Sequence, residues 1–214
     1  MRSANIRNRW SFKYSPVSKP AKLILASASP RRAEILRNAG FDFEVFPASV
    51  DETRLPREAA TAYVRRVAKL KARTAMRHLH EKERRDFSAI VAADTVVAVE
   101  GYVLGKPNSD DDARRMLRRL SGKWHEVFTG LALVAKQSRR MIVAVEKTRV
   151  EFAKLSAKEI DEYIRSEEPF DKAGAYAIQG RGGKFIPRIE GCYFNVMGLP
   201  LARLYAILRE LKLQ

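Results

Sequence analysis

Between Lys22 and Gly40 the chain passes from a short apolar run, KLILAS, through ASASPRR into the helical pattern AEILRNAG. So abrupt a change from strand to helix, repeated along the chain, restricts it to an α/β or α+β domain with a mixed sheet. The local helix signals are clear. Ser29 stands at the N-cap, Pro30 at N1 and Gly40 at C′. Arg31 and Arg32 break the pattern, because they sit at the helix end that already carries about half a positive charge. The stretch KPNSDDDARRMLRRLSG, by contrast, puts its acidic residues in the first turn and its arginines later. Free helix amides and guanidinium forks both suit phosphate oxygens, so an anion at Arg31 and Arg32 would offset the misplaced charge. The alternative is that both arginines face solvent or meet Glu34.

The rest of the body alternates in the same way. FDFEVFPA reads as a half-buried strand and VDETRLPREAA as a polar loop. A helix is expected from Glu58 to about His80, with Ala62, Val67, Leu70, Ala75 and Leu79 on the apolar face. The basic residues along it, Lys71 among them, read as a solvated face. AIVAA is a buried strand, and TVVAVEGYVLG a hairpin turning at Glu100-Gly101. Residues 123–155 hold two or three strands, Ser156 and Glu159 form a capping box, and a glycine-rich stretch from Asp171 to Pro200 leads to a last helix. The expectation is one globular body over residues 22–214, preceded by a disordered basic extension over residues 1–21.

The net charge of +16 raises the possibility of a nucleic-acid partner, but part of it belongs to that extension: residues 1–33 contain no Asp or Glu. No run approaches the ~18 apolar residues of a membrane span, and no secretory signal is visible. Cys192 is the only cysteine and reads as a packed residue. His78 and His80 face different sides of a helix, and His125 is isolated, so no zinc pattern arises. Neither a P-loop nor a Gly-x-Gly-x-x-Gly turn is present.

What remains is a set of polar groups on loops and strand ends. Asp94 and Thr95 follow AIVAA, where a carboxylate must be paired, hydrogen-bonded, metal-bound or spent on capping a turn. Glu52, at the end of another strand, supplies a second carboxylate. Two carboxylates beside a phosphate cradle make up the inventory for Mg²⁺-assisted phosphoryl or pyrophosphoryl chemistry. Lys106, Lys172 and Gln179 add phosphate- and base-binding groups, and the glycines around Gln179 leave room for a ligand near the backbone.

In order along the chain, LILASASPRRAEIL, VDE, AKLKA, AADTVV, LGKP, MLRRLSGKWHEVFTGLAL, EEPFDKAGAYAIQG and YFNVMGLPL resemble the Maf family of nucleoside triphosphate pyrophosphatases over residues 22–210. The resemblance implies an inosine-triphosphatase-like α/β fold, with a mixed elongated sheet, flanking helices and two lobes around a nucleotide cleft. It implies cleavage to a nucleoside monophosphate and pyrophosphate, with Mg²⁺ or Mn²⁺ on Asp94 and Glu52. Asp94 would be the proton acceptor, and Arg31, Thr95 and Gln179 would select the substrate. Ser27, Ser29, Arg32, Lys71 and Lys106 would contact phosphates. The pair Asp94-Thr95 and the run DKAGAYAIQG match the branch acting on dTTP and UTP rather than the 7-methyl-GTP branch. Ala177 departs from that branch, which has glycine there. A cytoplasmic homodimer, a house-cleaning role in nucleotide pools and a link to cell-division or septum control also follow from the resemblance. The competing readings are a catalytically weak regulator and a basic nucleic-acid-binding protein, which carboxylates at Glu52 and Asp94 would oppose.

Overall fold

The computed structural model describes residues 22–213. The expected disordered extension over residues 1–21 lies outside them. Seven strands form one mixed sheet: β1 (Leu23–Leu25), β2 (Phe43–Val45), β3 (Ala89–Val99), β4 (Tyr102–Leu104), β5 (Trp124–Ala135), β6 (Met141–Glu151) and β7 (Arg188–Glu190). Their order is β2-β1-β3-β5-β6-β7, with β4 paired to β3. β1 runs parallel to both β2 and β3, and the remaining pairs are antiparallel. Among the described residues six α-helices flank the sheet: α1 (Pro30–Asn38), α2 (Ala60–Glu81), α3 (Asp110–Leu120), α4 (Ala157–Ile164), α5 (Tyr193–Val196) and α6 (Leu201–Glu210).

Local chemistry accounts for several of these elements. Ser109 caps α3 by accepting from the Asp112 amide, and Asp110 to Asp112 lie at its positive end. Ser156 and Glu159 form the reciprocal capping box of α4. The β3–β4 hairpin turns through Glu100 and Gly101, both at positive φ.

Strand periodicity decides which core each residue joins. Leu23, Leu25, Ala89, Val91 and Ala93 pack with α1 and α6 on one face, whereas Ile24, Ile90 and Ala92 pack with α2 on the other. Leu23, Ile24 and Leu25 are fully buried, which stabilises by ~1.5–3 kcal/mol each and requires helices on both faces. The same alternation sends Asp94 toward α2 and Thr95 toward α1.

β3 does not stop after AIVAA. It continues through Asp94 and Thr95 to Val99, because β5 pairs with it from Ala89 to Ala98. Asp94 and Thr95 are therefore mid-strand residues. They remain reachable because β1 covers the other edge of β3 only over Ala89–Val91, and β4 only over Val97–Val99. Among the described residues the edge between them has no strand neighbour. The loop after β1 and the loop after β4 both open onto that gap.

Candidate active site

The gap is the floor of a cleft of about 740 Å³. Its first wall is ASASPRR. Ser29 occupies the N-cap position of α1 in extended conformation, but its side chain caps nothing. Instead, the Ser29 amide donates to Ser27 Oγ at 3.2 Å, and the uncapped first turn of the helix faces the cleft.

The two arginines have different environments. Arg32 is buried: its Nε donates to Gly198 O at 2.8 Å, Nη1 to Ser27 Oγ at 2.9 Å and Nη2 to Thr95 Oγ1 at 3.2 Å. Burial lowers its pKa from the ordinary arginine value. Arg31 reaches across the cleft to Asp171, with Nη1 to Oδ2 and Nη2 to the carbonyl oxygen both at 3.2 Å. Neither arginine meets Glu34, which accepts from Gln179 Nε2 at 3.1 Å.

On the opposite face of β3, Lys71 Nζ lies 2.8 Å from Asp94 Oδ1 and 2.8 Å from Glu52 Oε1. This corrects three expectations. Lys71 belongs to no solvated face: it is 7% exposed on the buried side of α2. Asp94 is not at a strand end. Glu52 lies in the loop well past the end of β2, where Tyr63 holds it by donating from its hydroxyl to Glu52 O at 2.9 Å. Burial pushes the Asp94 carboxyl above the ordinary aspartate value, against the opposing pull of the Lys71 ammonium and then of Arg32. Burial likewise drives the Tyr63 phenol to about 12, so it remains a donor.

α2 can approach this closely because Gly130 stands opposite Asp94 in the ladder. A Cβ at Gly130 would fall 2.1 Å from Val64 O. Gly130→Ala is therefore expected to push α2 and Lys71 off the sheet, with a loss of at least the ~1–3 kcal/mol of an overpacked core, read as a lower melting temperature.

The far wall carries Lys106, Lys172, Tyr176 and Gln179. Lys106 is exposed and makes no side-chain bond among the described residues, whereas Lys172 is tied to Glu168 O and to Asp171. The glycines here do not make room for a ligand, contrary to the expectation from sequence. Gly180, at φ 134°, faces Glu168 Oε2, 2.5 Å from where a Cβ would be, and Gly174 faces Val97. Glu168 organises the loop, accepting from Tyr163 Oη at 2.7 Å, Arg181 N at 2.9 Å and Gly182 N at 3.0 Å. Ala177 is not among the residues at positive φ, so its methyl group costs no backbone strain.

Tyr63, Thr129, Asp171 and Asn195 also belong to this constellation and were not singled out as site residues from sequence. Among the described residues no cluster of three or more His, Cys, Asp or Glu side chains can enclose a metal ion. Asp94 and Glu52 nevertheless suit a hard cation. Lys71 takes one oxygen of each carboxylate, and the other oxygen of each makes no protein hydrogen bond beside the cleft. Mg²⁺ commonly binds through one or two carboxylates, with substrate phosphates and water completing the shell.

The architecture is that of a mixed α/β sheet that opens at its middle strand onto a cleft lined by Arg31, Arg32, Lys71 and Lys106 and by three carboxylates, Glu52, Asp94 and Asp171. The family model described as Maf-like protein matches residues 22–211, and the chain belongs to that family. A dTTP/UTP pyrophosphatase of Carboxydothermus hydrogenoformans is 49% identical over 192 residues, covering 88% of this chain and 98% of the relative. One of Caldicellulosiruptor bescii is 46% identical over 190 residues, covering 89% and 94%. Among solved structures, the Ham1 protein of Staphylococcus aureus aligns with a TM-score of 0.51 at 15% identity, covering 88% of this chain and 98% of its own, a likeness of fold.

Proposed function

We propose that the protein hydrolyses dTTP and UTP to the nucleoside monophosphate and pyrophosphate. The observation that carries this reading is the buried Asp94–Lys71–Glu52 cluster beside the uncapped, arginine-bearing start of α1, in a chain closely similar to relatives named for that activity.

Asp94 accepts a proton from the attacking water as the water oxygen bonds to phosphorus. The phosphoanhydride P–O bond breaks, and its electron pair leaves on pyrophosphate. A carboxylate with a raised pKa is a stronger base than an ordinary aspartate, which suits this role. Lys71 holds Asp94 ionised and oriented. Arg31 and Lys106 meet the charge that grows on the leaving group, Arg32 stiffens the first wall, and the free Ser29 hydroxyl and α1 amides receive phosphate oxygens. A divalent cation held by Asp94 and Glu52 would supply charge neutralisation on the triphosphate. Gln179 and Thr95 offer polar edges to the base.

The reading extends to a cytoplasmic homodimer. No helix among the described residues is long and apolar enough to cross a membrane, and a monomeric mass in sedimentation would remove the dimer. The products decide the reaction class. dTMP and pyrophosphate in equal amounts are expected from dTTP; dTDP and orthophosphate would place the cleavage elsewhere.

A further inference from the structure

We propose that Thr129, buried behind the cleft, fixes Thr95 as a hydrogen-bond acceptor toward the substrate, so that Thr95 favours a base presenting an N–H and opposes one presenting a bare ring nitrogen. This rests on the assignment of a pyrimidine nucleotide to the cleft and deepens it.

Thr129 is fully buried and stands opposite Thr95 in the β3–β5 ladder. The two hydroxyl oxygens are 2.9 Å apart. Thr129 Oγ1 donates to Asn195 O at 3.1 Å. A hydroxyl has one proton, so with that proton on Asn195 O, Thr129 can only accept from Thr95. Thr95 thereby commits its own proton inward. It also accepts from Arg32 Nη2 at 3.2 Å, which leaves one lone pair for the cleft it lines.

The reverse polarity would turn the Thr129 proton toward Thr95. The Thr129 oxygen and the Asn195 carbonyl would then face each other as two acceptors at 3.1 Å in a buried place, with one hydrogen bond fewer. Nor can the carbonyl swing away. Asn195 O also receives the Gly198 amide at 2.9 Å, and the fully buried Asn195 side chain donates to Val127 O at 3.1 Å and Thr148 Oγ1 at 3.0 Å. The chain Asn195–Thr129–Thr95 therefore has one polarity. Uracil and thymine both carry a donor at N3, where cytosine carries a bare nitrogen. Thr129 acts through Thr95 and is a positioning residue.

The test is Thr129→Val, which keeps the shape and removes the hydroxyl, so that the Thr95 proton can turn toward the cleft. The ratio of kcat/KM for UTP over CTP is expected to fall several-fold, up to about tenfold, on the scale of one hydrogen bond gained or lost. Thr129→Ser, which retains the hydroxyl, is expected to restore the ratio. A merely structural role would lower both substrates together. Should Thr129→Val fail to fold, Thr129→Ala removes the same hydroxyl and is read in the same way. An unchanged ratio in a folded variant that still turns over UTP overturns the proposal. A wild-type protein that turns over neither UTP nor dTTP overturns instead the assignment on which it rests.

Discussion

Asp94→Asn is expected to lower kcat by ~10²–10⁴-fold while the protein stays folded, because that is the range a positioned general base contributes. The substitution is close to isosteric and keeps an oxygen for Lys71 Nζ, now at 2.8 Å from Asp94 Oδ1. What it removes is the basic site. The KM for dTTP is expected to move less, since the groups proposed to face the phosphates, the α1 turn, Arg31 and Lys106, are untouched. Near-wild-type turnover would remove Asp94 from the chemistry. As the proposed base Asp94 would have to be ionised, and burial raises its pKa above the ordinary aspartate value. The acid limb of the kcat/KM profile is therefore expected at higher pH than an exposed aspartate would give.

Lys71→Met is expected to cost both stability and activity. Lys71 and Asp94 side chains are 9% and 8% exposed, and removing one partner of such a buried pair costs about 3–5 kcal/mol. We place the value near the lower end, because Asp94 can take up a proton and Glu52 is half exposed. For a chain of this size that is roughly a 6–12 °C fall in melting temperature. The pH dependence has a definite sign. Without the ammonium, the folded-state pKa of Asp94 rises further above its unfolded value. The deficit is then small where Asp94 is protonated in both states and grows as pH rises through the folded pKa. The acid limb of kcat/KM moves upward with it. A melting temperature within about 2 °C of wild type at pH 8 would contradict the buried pairing.

The contrast between these two residues shows how much of the site can be read from sequence. Elements with local causes were legible: the α1 start, the Glu100-Gly101 hairpin, the acidic first turn of α3 and the Ser156–Glu159 box. The spacing carries a signal for Lys71 too. Val67, Lys71, Ala75 and Leu79 recur every four residues, so a lysine stands in the apolar stripe of α2. A charge on a buried stripe is a stronger signal than a basic face. Asp94 was harder to place. That β3 runs on through it depends on ten pairings with β5, and that it stays accessible depends on where β1 and β4 stop, both non-local facts.

The arginines divide along the same line. That Arg31 and Arg32 violate the helix dipole is plain in the sequence, but which one is buried is set by Gly198 and Thr95, far away in the chain. The glycine-rich stretch misled because glycine signals close approach without naming what approaches. Here it is Glu168 and Val97. The proton direction at Thr95 needs Thr129 and Asn195, which only the folded ladder brings together.

The cleft is proposed to cleave pyrimidine triphosphates with release of pyrophosphate. Pyrophosphate release measured across dTTP, UTP, CTP, ATP, GTP and modified triphosphates, with Mg²⁺ and with Mn²⁺, tests it most directly. dTTP and UTP are expected among the best substrates, with turnover lowered ~10²–10⁴-fold in Asp94→Asn. No turnover of any triphosphate, or a preferred set that excludes both dTTP and UTP, would contradict it.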